Sequence, residues 1–241
     1  DPMKRVLAIT WLVAGLLGAA CGDDRTSTPA ATGGTTGAPS AITMVVYDSF
    51  PTEGTPLNDA LAEFRAGTGI DVHLVTAGDA GTMVTKAALT AGNPEGDVMW
   101  GVDNTLLSAA LDGGVFDGDP TQVDFGDVCV NYDIAWFADH GVEPPTTLAD
   151  LLLPAYKDLL VVEDPAASSP GLAFLLATVA ANGGAGSDGW QQYWTDLRAN
   201  GVEVAESWDV AYYERFSGAA GSEGDKPLVV SYGSSPPAEV V

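Results

Sequence analysis

The feature that most constrains the fold is an alternation that begins at residue 41. Short apolar runs alternate with stretches whose apolar residues recur at helical spacing. This order predicts α/β architecture, with a parallel sheet and helices packed on its faces. In the first part of the chain the predicted strands are 42–47, 71–75 and 97–101, and the predicted helices are 56–66, 82–91 and 104–111.

A second set of elements follows an acidic, glycine-rich loop at 117–126. Its predicted strands are 127–132, 159–162, 202–204 and 227–232, and its predicted helices are 148–153, 170–181, 190–198 and 209–216. About 200 residues suffice for two modest cores. We therefore predict two lobes, 41–126 and 133–241, joined by a hinge strand at 127–132.

The first 20 residues have the pattern of a secretory signal peptide, preceded by a two-residue remnant before Met3. Lys4 and Arg5 open an apolar run that ends in small residues before Cys21. This ending resembles the bacterial lipobox, except that Gly18 stands where Leu is usual, and it predicts lipidation of Cys21. The alternative is a secreted protein, cut at Ala20 or later, in which Cys21 is an idle thiol.

Residues 23–40 are rich in Thr, Ala, Gly and Pro and have almost no large apolar side chain. Such a segment cannot bury enough surface to order itself. Together with the lipidated cysteine, residues 21–40 are predicted to be a flexible tether. The expected location is extracytoplasmic, on the periplasmic face of the cell membrane, held there by the lipid alone.

The charge balance limits the partners. The chain has 33 Asp and Glu against nine Lys and Arg, a formal net charge of −24. This balance argues against binding to nucleic acid or to anionic lipid through a basic patch. It suits a cationic ligand, and a diffuse acidic surface is the simpler alternative.

The sequence lacks the common enzyme and cofactor motifs. There is no GxGxxG after a strand, no Walker A, no HExxH and no GxSxG, and no Cys or His residues are paired at metal spacing. We predict no cofactor, no metal and no enzymatic activity.

Polar and aromatic residues follow the predicted strands instead. Because ligands of open α/β folds bind at the carboxyl ends of strands, these segments predict a cleft between the lobes. They are 47–50, 78–81, 101–104, 163–171, 206–209 and 231–236. Each has a structural alternative: Asp79, Asp103 and the pair Ser168–Ser169 suit helix caps, and Tyr232 suits packing beneath the cleft.

The segment 205–216 raises the same question for aromatic side chains. Trp208, Tyr212 and Phe216 share one face at helical spacing, which is typical of a core helix. However, Trp208 falls in the first turn after a predicted strand, where ligands bind. We expect Trp208 to form the cleft wall and the other two rings to pack the lobe.

Five blocks in order carry a family resemblance: YDSF, GDVMWGVDNTLL, EDPAASSPGL, SWDVAYYERF and LVVSYGSSP. Together they resemble the thiamine-binding lipoproteins and periplasmic proteins of ABC importers, which have the type II solute-binding fold. The resemblance covers about residues 44–238. Relatives continue through a return segment into the first lobe, so the resemblance implies a C-terminally truncated chain.

The resemblance implies a monomer that binds thiamine or its phosphate esters between the lobes and delivers the ligand to a membrane permease. The implied contacts are Asp79 and Ala80 from lobe one, Ser168, Ser169, Trp208, Tyr232, Gly233, Ser234 and Ser235 from lobe two, and Tyr47 as an addition. Aromatic faces attract the thiazolium cation, and Asp79 complements its charge or accepts from an amino group.

Two other functions remain open at this stage. One is a binder of another small cation or of a metal chelate on the same fold. The other is a thiamine-degrading enzyme of similar fold, for which Cys129 is the candidate nucleophile. Since Cys129 is flanked by valines in a predicted strand, we expect an inert, buried thiol.

Overall fold

The computed structural model describes residues 40–239. The predicted signal peptide, the lipidated Cys21 and nearly all of the tether lie outside this range. Among the described residues, no helix combines the length and the apolar character needed to cross a bilayer.

Lobe one is built on a three-stranded parallel sheet. Strand β1 (Ala41–Val46) lies in the centre, with β2 (Asp71–Thr76) on one side and β3 (Val98–Met99) on the other. Both pairings are parallel, as the alternation predicted. The helices of this lobe are α1 (Pro56–Thr68), α2 (Ala80–Leu89) and α3 (Leu107–Asp112).

Helix α1 begins and ends at residues suited to those positions. Pro56 occupies the first turn, where its missing N–H costs nothing. The Asn58 side chain accepts a hydrogen bond from the backbone N–H of Thr55, at 2.9 Å. At the other end Gly69 adopts a left-handed conformation with φ 74°, which stops the helix.

Lobe two contains a four-stranded mixed sheet in the order β4-β7-β5-β6. The three strands β5, β6 and β7 run parallel, whereas β4 lies at the edge and pairs antiparallel with β7. The predicted hinge strand is thus β4, and its hinge role stays a prediction. The strands are β4 (Val128–Tyr132), β5 (Leu160–Glu163), β6 (Glu203–Ala205) and β7 (Leu228–Tyr232).

The helices of lobe two include one that is wound as a π-helix. The α-helices are α4 (Ile134–His140), α5 (Ser169–Ala181), α6 (Gly189–Ala199) and α7 (Ser235–Ala238). The predicted helix 209–216 is the π-helix Val210–Arg215, and the backbone N–H of Phe216 donates to the carbonyl of Ala211 at 3.0 Å. Such i to i−5 windings are rare in proteins as a whole. Those that do occur are often found at functional sites.

Four other elements differ from the sequence prediction. Helices α4 and α7 were not predicted, and the predicted helix 148–153 is only the 3₁₀ turn Asp150–Leu152, followed by a second turn at Pro154–Tyr156. Helix α4 is short, and it depends on local contacts: Asp133 accepts from the backbone N–H of Trp136 at 3.0 Å. Strand β3 has two residues instead of the predicted five.

Both faces of the second sheet are buried. Val162 and Val230 face a core that includes Phe174 and Leu197, whereas their neighbours along the strands belong to a second core with Tyr212 and Phe216. Since successive strand residues point to opposite faces, the continuous apolar runs are explained by burial on both sides.

We predict that Leu197→Ala destabilises lobe two by about 2–5 kcal/mol, because Leu197 is 1% exposed in its core. The free energy of unfolding from urea titration measures the effect. The matched control Leu89→Ala, at a residue that is 82% exposed, should change it by less than about 0.5 kcal/mol. Equal losses in the two variants would contradict this placement of the core.

Candidate ligand-binding site

A cavity of about 640 Å³ lies between the lobes, where the carboxyl ends of strands from both sheets meet. Lobe one and the loop after it contribute Tyr47, Ser49, Asp79, Ala80, Trp100, Gly101, Val102, Asp103, Asn104, Leu107 and residues 120–126. Lobe two contributes Ser168, Ser169, Pro170, Trp208, Tyr232 and Ser234. The volume is ordinary for a site that takes a small organic molecule.

The structure brings most of the predicted site residues to this cavity. Those that line it are Tyr47, Asp79, Ala80, Ser168, Ser169, Trp208, Tyr232 and Ser234. Gly233 and Ser235 lie beside the cavity and are not among its lining residues. The backbone N–H of Gly233 donates to the carbonyl of Asp127 at 2.9 Å, and the Ser235 hydroxyl lies 2.9 Å from that of Ser231.

Two hydrogen bonds join the lobes at the edge of the cavity. A carboxylate oxygen of Asp79 accepts from the backbone N–H of Trp208 at 2.9 Å. The backbone N–H of Gly81 donates to the carbonyl of Ala167 at 2.7 Å. The Asp79 side chain makes no cap bond to helix α2 and instead binds the opposite lobe, which corrects the helix-cap alternative.

The indole of Trp208 is held by two neighbours of its own lobe. Its Nε1–H donates to the hydroxyl of the fully buried Ser231 at 2.8 Å. The Tyr212 ring stacks on it, with centroids 4.8 Å apart and an interplanar angle of 9°. Tyr212 and Phe216 are 1% and 2% exposed. Trp208 therefore lines the cavity, and the other two rings pack the lobe, as expected.

Ser231 was not among the predicted contacts. It lies in the sequence segment 231–236, which had been singled out for its place at the end of a strand. Strand position alone does not reveal that its hydroxyl meets an indole 23 residues away. Its role is to position Trp208, since a fixed acceptor for Nε1–H fixes the ring plane.

The start of helix α5 supplies polar groups to the cavity. Ser168 is 2% exposed and its hydroxyl has no hydrogen-bond partner among the described residues. Pro170 lies in the first turn, as the sequence predicted. Ser168 adopts the N-cap position without a side-chain cap bond, and its hydroxyl is buried beside the cavity.

The cavity is acidic and partly desolvated. Burial raises the pKa of Asp79, opposed by the hydrogen bond from Trp208, and Asp209 and Asp48 raise it further. Burial likewise raises the pKa of Asp209, with contributions from Asp48 and Glu214. Carboxylates of both lobes thus crowd the same region, a pattern that a bound cation would relieve.

Glu163 ends strand β5 beneath this region. It is 1% exposed, and neither carboxyl oxygen has a hydrogen-bond partner among the described residues. Burial raises its pKa to about 8, and the nearby Asp79 adds to the shift. The side chain is therefore largely protonated at neutral pH. The sequence indicated only that Glu163 follows an apolar run, and not that its side chain is buried.

Cys129 is exposed, contrary to the prediction of a buried thiol. It lies on the edge strand β4, which pairs with β7 on one side only. No second strand of the sheet therefore covers it. The residue is not among those that line the cavity. A role as a cleft nucleophile therefore has no geometric support.

Other candidate sites are weaker. A depression between α1 and β2 is lined by Leu61, Arg65 and Asp71, among others, and lies on lobe one alone. Its charged groups form an ion pair at 3.4 Å, in which the Arg65 side chain is 65% exposed. Among residues 40–239, no three His, Cys, Asp or Glu side chains gather in an arrangement that could hold a metal ion. Asp103 does not cap helix α3, which begins at Leu107, and this corrects the helix-cap alternative; its carboxylate instead accepts from the backbone N–H of Thr105 at 2.6 Å, within the turn before the helix.

Comparison with known proteins agrees with the fold. Residues 112–225 match the family of bacterial extracellular solute-binding proteins. The thiamine-binding periplasmic protein of Salmonella typhimurium is 28% identical over 213 residues, 83% of this chain and 62% of its own length. A solved periplasmic thiamin binding protein superposes with a TM-score of 0.66 at 26% identity, covering 81% of this chain and 63% of that one.

The resemblance to these solute-binding proteins is confirmed. The periplasmic binding protein AfuA of Actinobacillus pleuropneumoniae superposes with a TM-score of 0.60 at 17% identity and has the same fold. The fold is the two-lobed type II fold of periplasmic binding proteins, and the location that these relatives support is extracytoplasmic. The chain spans about 60% of the length of the relatives it matches.

We predict that Gly81→Ala loosens the contact between the lobes. A Cβ at this position would lie 2.6 Å from the carbonyl oxygen of Ala166, so the backbones must separate. Hydrogen exchange at the Trp208 amide should become about fivefold faster, the effect of weakening one hydrogen bond. In the control Gly67→Ala, where a Cβ meets nothing within 4 Å, the rate should stay as in the parent. Unchanged exchange in Gly81→Ala would refute the contact.

We also predict that stability falls as pH rises, through Glu163. The folded chain keeps this proton up to about pH 8, whereas the unfolded chain releases it near pH 4.5, so between these values the folded state binds more protons. In the parent, the free energy of unfolding should fall by up to a few kcal/mol between about pH 5 and about pH 8 through this group. In Glu163→Gln this contribution should be absent. Urea unfolding at both pH values measures the difference. The exposed control Glu95→Gln should keep the parent's pH dependence. An equally steep loss in Glu163→Gln would contradict the burial of a neutral carboxyl.

Proposed function

We propose that this chain is the solute-binding component of an ABC importer and that it binds thiamine, or a closely similar aromatic cation, between its lobes. The observation that carries the proposal is the chemistry of the cavity. Its lining residues include Trp208, Tyr47 and Tyr232 and the carboxylates of Asp79, Asp103 and Asp124, and none of them is Lys, Arg or His.

This combination favours a flat cation. A positive charge over an aromatic face gains about 2 kcal/mol when desolvated. Trp208 lines the cavity, and Ser231 and Tyr212 hold its indole in place. The carboxylates supply the opposite charge. One carboxylate oxygen of Asp79 accepts from the Trp208 backbone N–H, and the other oxygen can accept from an amino group of the ligand. The names of the relatives point to the same ligand.

Hydroxyl and amide groups complete the proposed site. The unpartnered Ser168 hydroxyl and the start of helix α5 suit the polar end of the ligand. The same cavity is lined by Ala80, Ser169 and Ser234. Gly233 and Ser235 lie beside it and bond to residues of strand β7 and the segment before β4. This arrangement needs no covalent chemistry, in keeping with the relatives, which are named as binding proteins.

Transport follows from closure of the lobes. A ligand that contacts both lobes stabilises the closed form by its differential affinity for that form. The Asp79–Trp208 and Gly81–Ala167 bonds join the two lobes, and strand 127–132 is the proposed hinge. We propose that the closed monomer docks on a membrane permease while a lipid on Cys21 holds it at the membrane.

Another small cation, or a metal chelate, is the alternative ligand class. Such a ligand would use the carboxylates without the aromatic wall. It would therefore bind with nearly the same affinity after removal of the indole, a result that separates the two proposals.

We predict that the full chain binds thiamine in calorimetric titration and that Trp208→Ala weakens the affinity by about 2 kcal/mol, roughly thirtyfold. Trp208→Phe, which keeps a ring, should lose less. The control Trp190→Ala removes a half-buried indole that does not line the cavity, and its affinity should match the parent's. No binding by the folded parent chain, checked by circular dichroism, would overturn the thiamine proposal.

A further inference from the structure

The side chain of Glu163 is sealed beneath the cavity. Glu163 ends strand β5 and is 1% exposed, and neither of its carboxyl oxygens has a hydrogen-bond partner among the described residues. It is not one of the residues that line the cavity. Its influence on a ligand is therefore exerted through charge rather than through contact.

This carboxyl interacts electrostatically with both walls of the cavity. Burial raises the pKa of Glu163, and the charge of Asp79, on the wall formed by lobe one, adds to the shift. Burial likewise raises the pKa of Tyr232, on the wall formed by lobe two, and the further causes are Asp103, Tyr47 and Glu163. A change of charge in the cavity is therefore felt at Glu163.

The start of helix α5 packs on the same residue. A Cβ at Gly171 would lie 2.5 Å from the carbonyl oxygen of Glu163 and 3.2 Å from its Cβ, so the helix and the strand are in close contact there. The positive end of a helix favours an ionised carboxyl, and the backbone N–H of Glu163 acts in the same direction. Burial without a hydrogen-bond partner outweighs both, because a charge removed from water without a partner is costly.

A cation in the cavity would change this balance. It would offset the negative charge of Asp79 and attract the ionised form of Glu163, and both effects favour loss of the proton. The linkage is reciprocal: if the cation favours the ionised form, the ionised form binds the cation more tightly than the neutral form does.

We propose that Glu163 couples ligand binding to proton release: when a cation binds in the cavity, the buried carboxyl gives its proton to a buffer base and becomes a carboxylate. The inference rests on the proposed function, because it requires a cationic ligand. It assigns the buried acid a role in the pH dependence of binding, with the affinity rising as the pH rises.

Few other groups of the site titrate close to neutral pH. Carboxyls ordinarily titrate at about pH 4 and tyrosines at about pH 10. Burial raises the pKa of Asp79 and Asp209 from the acidic side, and it raises the pKa of Tyr47 and Tyr232 further from neutrality. None of the lining residues is a histidine. The neutral polar residues of the lining do not titrate; they are Ser49, Asn104, Thr121, Gln122, Ser168, Ser169 and Ser234.

The test is a calorimetric titration of the full chain with thiamine at about pH 7.5, in two buffers whose ionisation enthalpies differ widely. The difference in heat between the buffers gives the number of protons released. If the ionised form binds about tenfold more tightly, about half a proton is released per ligand, and the affinity rises about fivefold between about pH 6.5 and about pH 8.5. Binding without proton release, or with proton uptake, overturns the inference and leaves the proposed function standing. Absence of binding by the folded chain overturns both.

A pair of matched variants assigns the proton. Glu163→Gln keeps a neutral side chain of almost the same size, so it should bind thiamine without proton release and with an affinity that does not depend on pH. Glu95→Gln removes an exposed carboxyl outside the cavity lining and should release as many protons as the parent. Release by Glu163→Gln that equals the parent's would refute the role of Glu163.

Infrared difference spectra of the parent chain give a second measurement, which does not depend on how a variant folds. A protonated carboxyl has a C=O stretching band that a carboxylate lacks. The intensity of this band should fall when thiamine binds at about pH 7.5. An unchanged band in a sample saturated with thiamine would contradict ionisation of the buried acid.

Discussion

The hydrogen bond from the Trp208 backbone to the Asp79 carboxylate is the contact on which the site depends. It joins residues 129 positions apart and belongs to both lobes at once. It also anchors the polypeptide at the residue whose indole lines the cavity. The Gly81–Ala167 bond lies beside it, and the close approach of the two backbones there leaves no room for a Cβ at Gly81. The cavity wall and the contact between the lobes are therefore one structural unit.

The site also depends on the residues that pack behind Trp208 and hold its ring in place. Trp208 is backed by Tyr212 and held by Ser231, whose hydroxyl lies next to that of Ser235. The π-helix that carries Tyr212 brings its ring onto the indole, so the unusual winding serves the site. Under the proposed function, a ligand meets a rigid aromatic face, and little conformational entropy is lost when it binds.

The sequence predicted what depends on local pattern. The strands β1, β2, β4, β5 and β7 and the helices α1, α5 and α6 followed from periodicity, and most cavity residues followed from family blocks and strand ends. What the sequence could not reveal depends on distant contacts. The Asp79 carboxylate binds the opposite lobe rather than its own helix, Glu163 is sealed under the cleft, and Cys129 is exposed because β4 is an edge strand.

Under the proposed function, the acidic character of the cavity links closure of the lobes to the charge of the ligand. Asp79 contributes one oxygen to the lobe contact, and burial raises its pKa together with that of Asp209. Bringing the lobes together without a cation therefore crowds negative charges from Asp48, Asp79 and Asp209 into a poorly solvated space. A cation between the lobes offsets this repulsion in the closed form far more than in the open form. An aromatic cation would thus stabilise closure twice, through the aromatic wall and through the carboxylates.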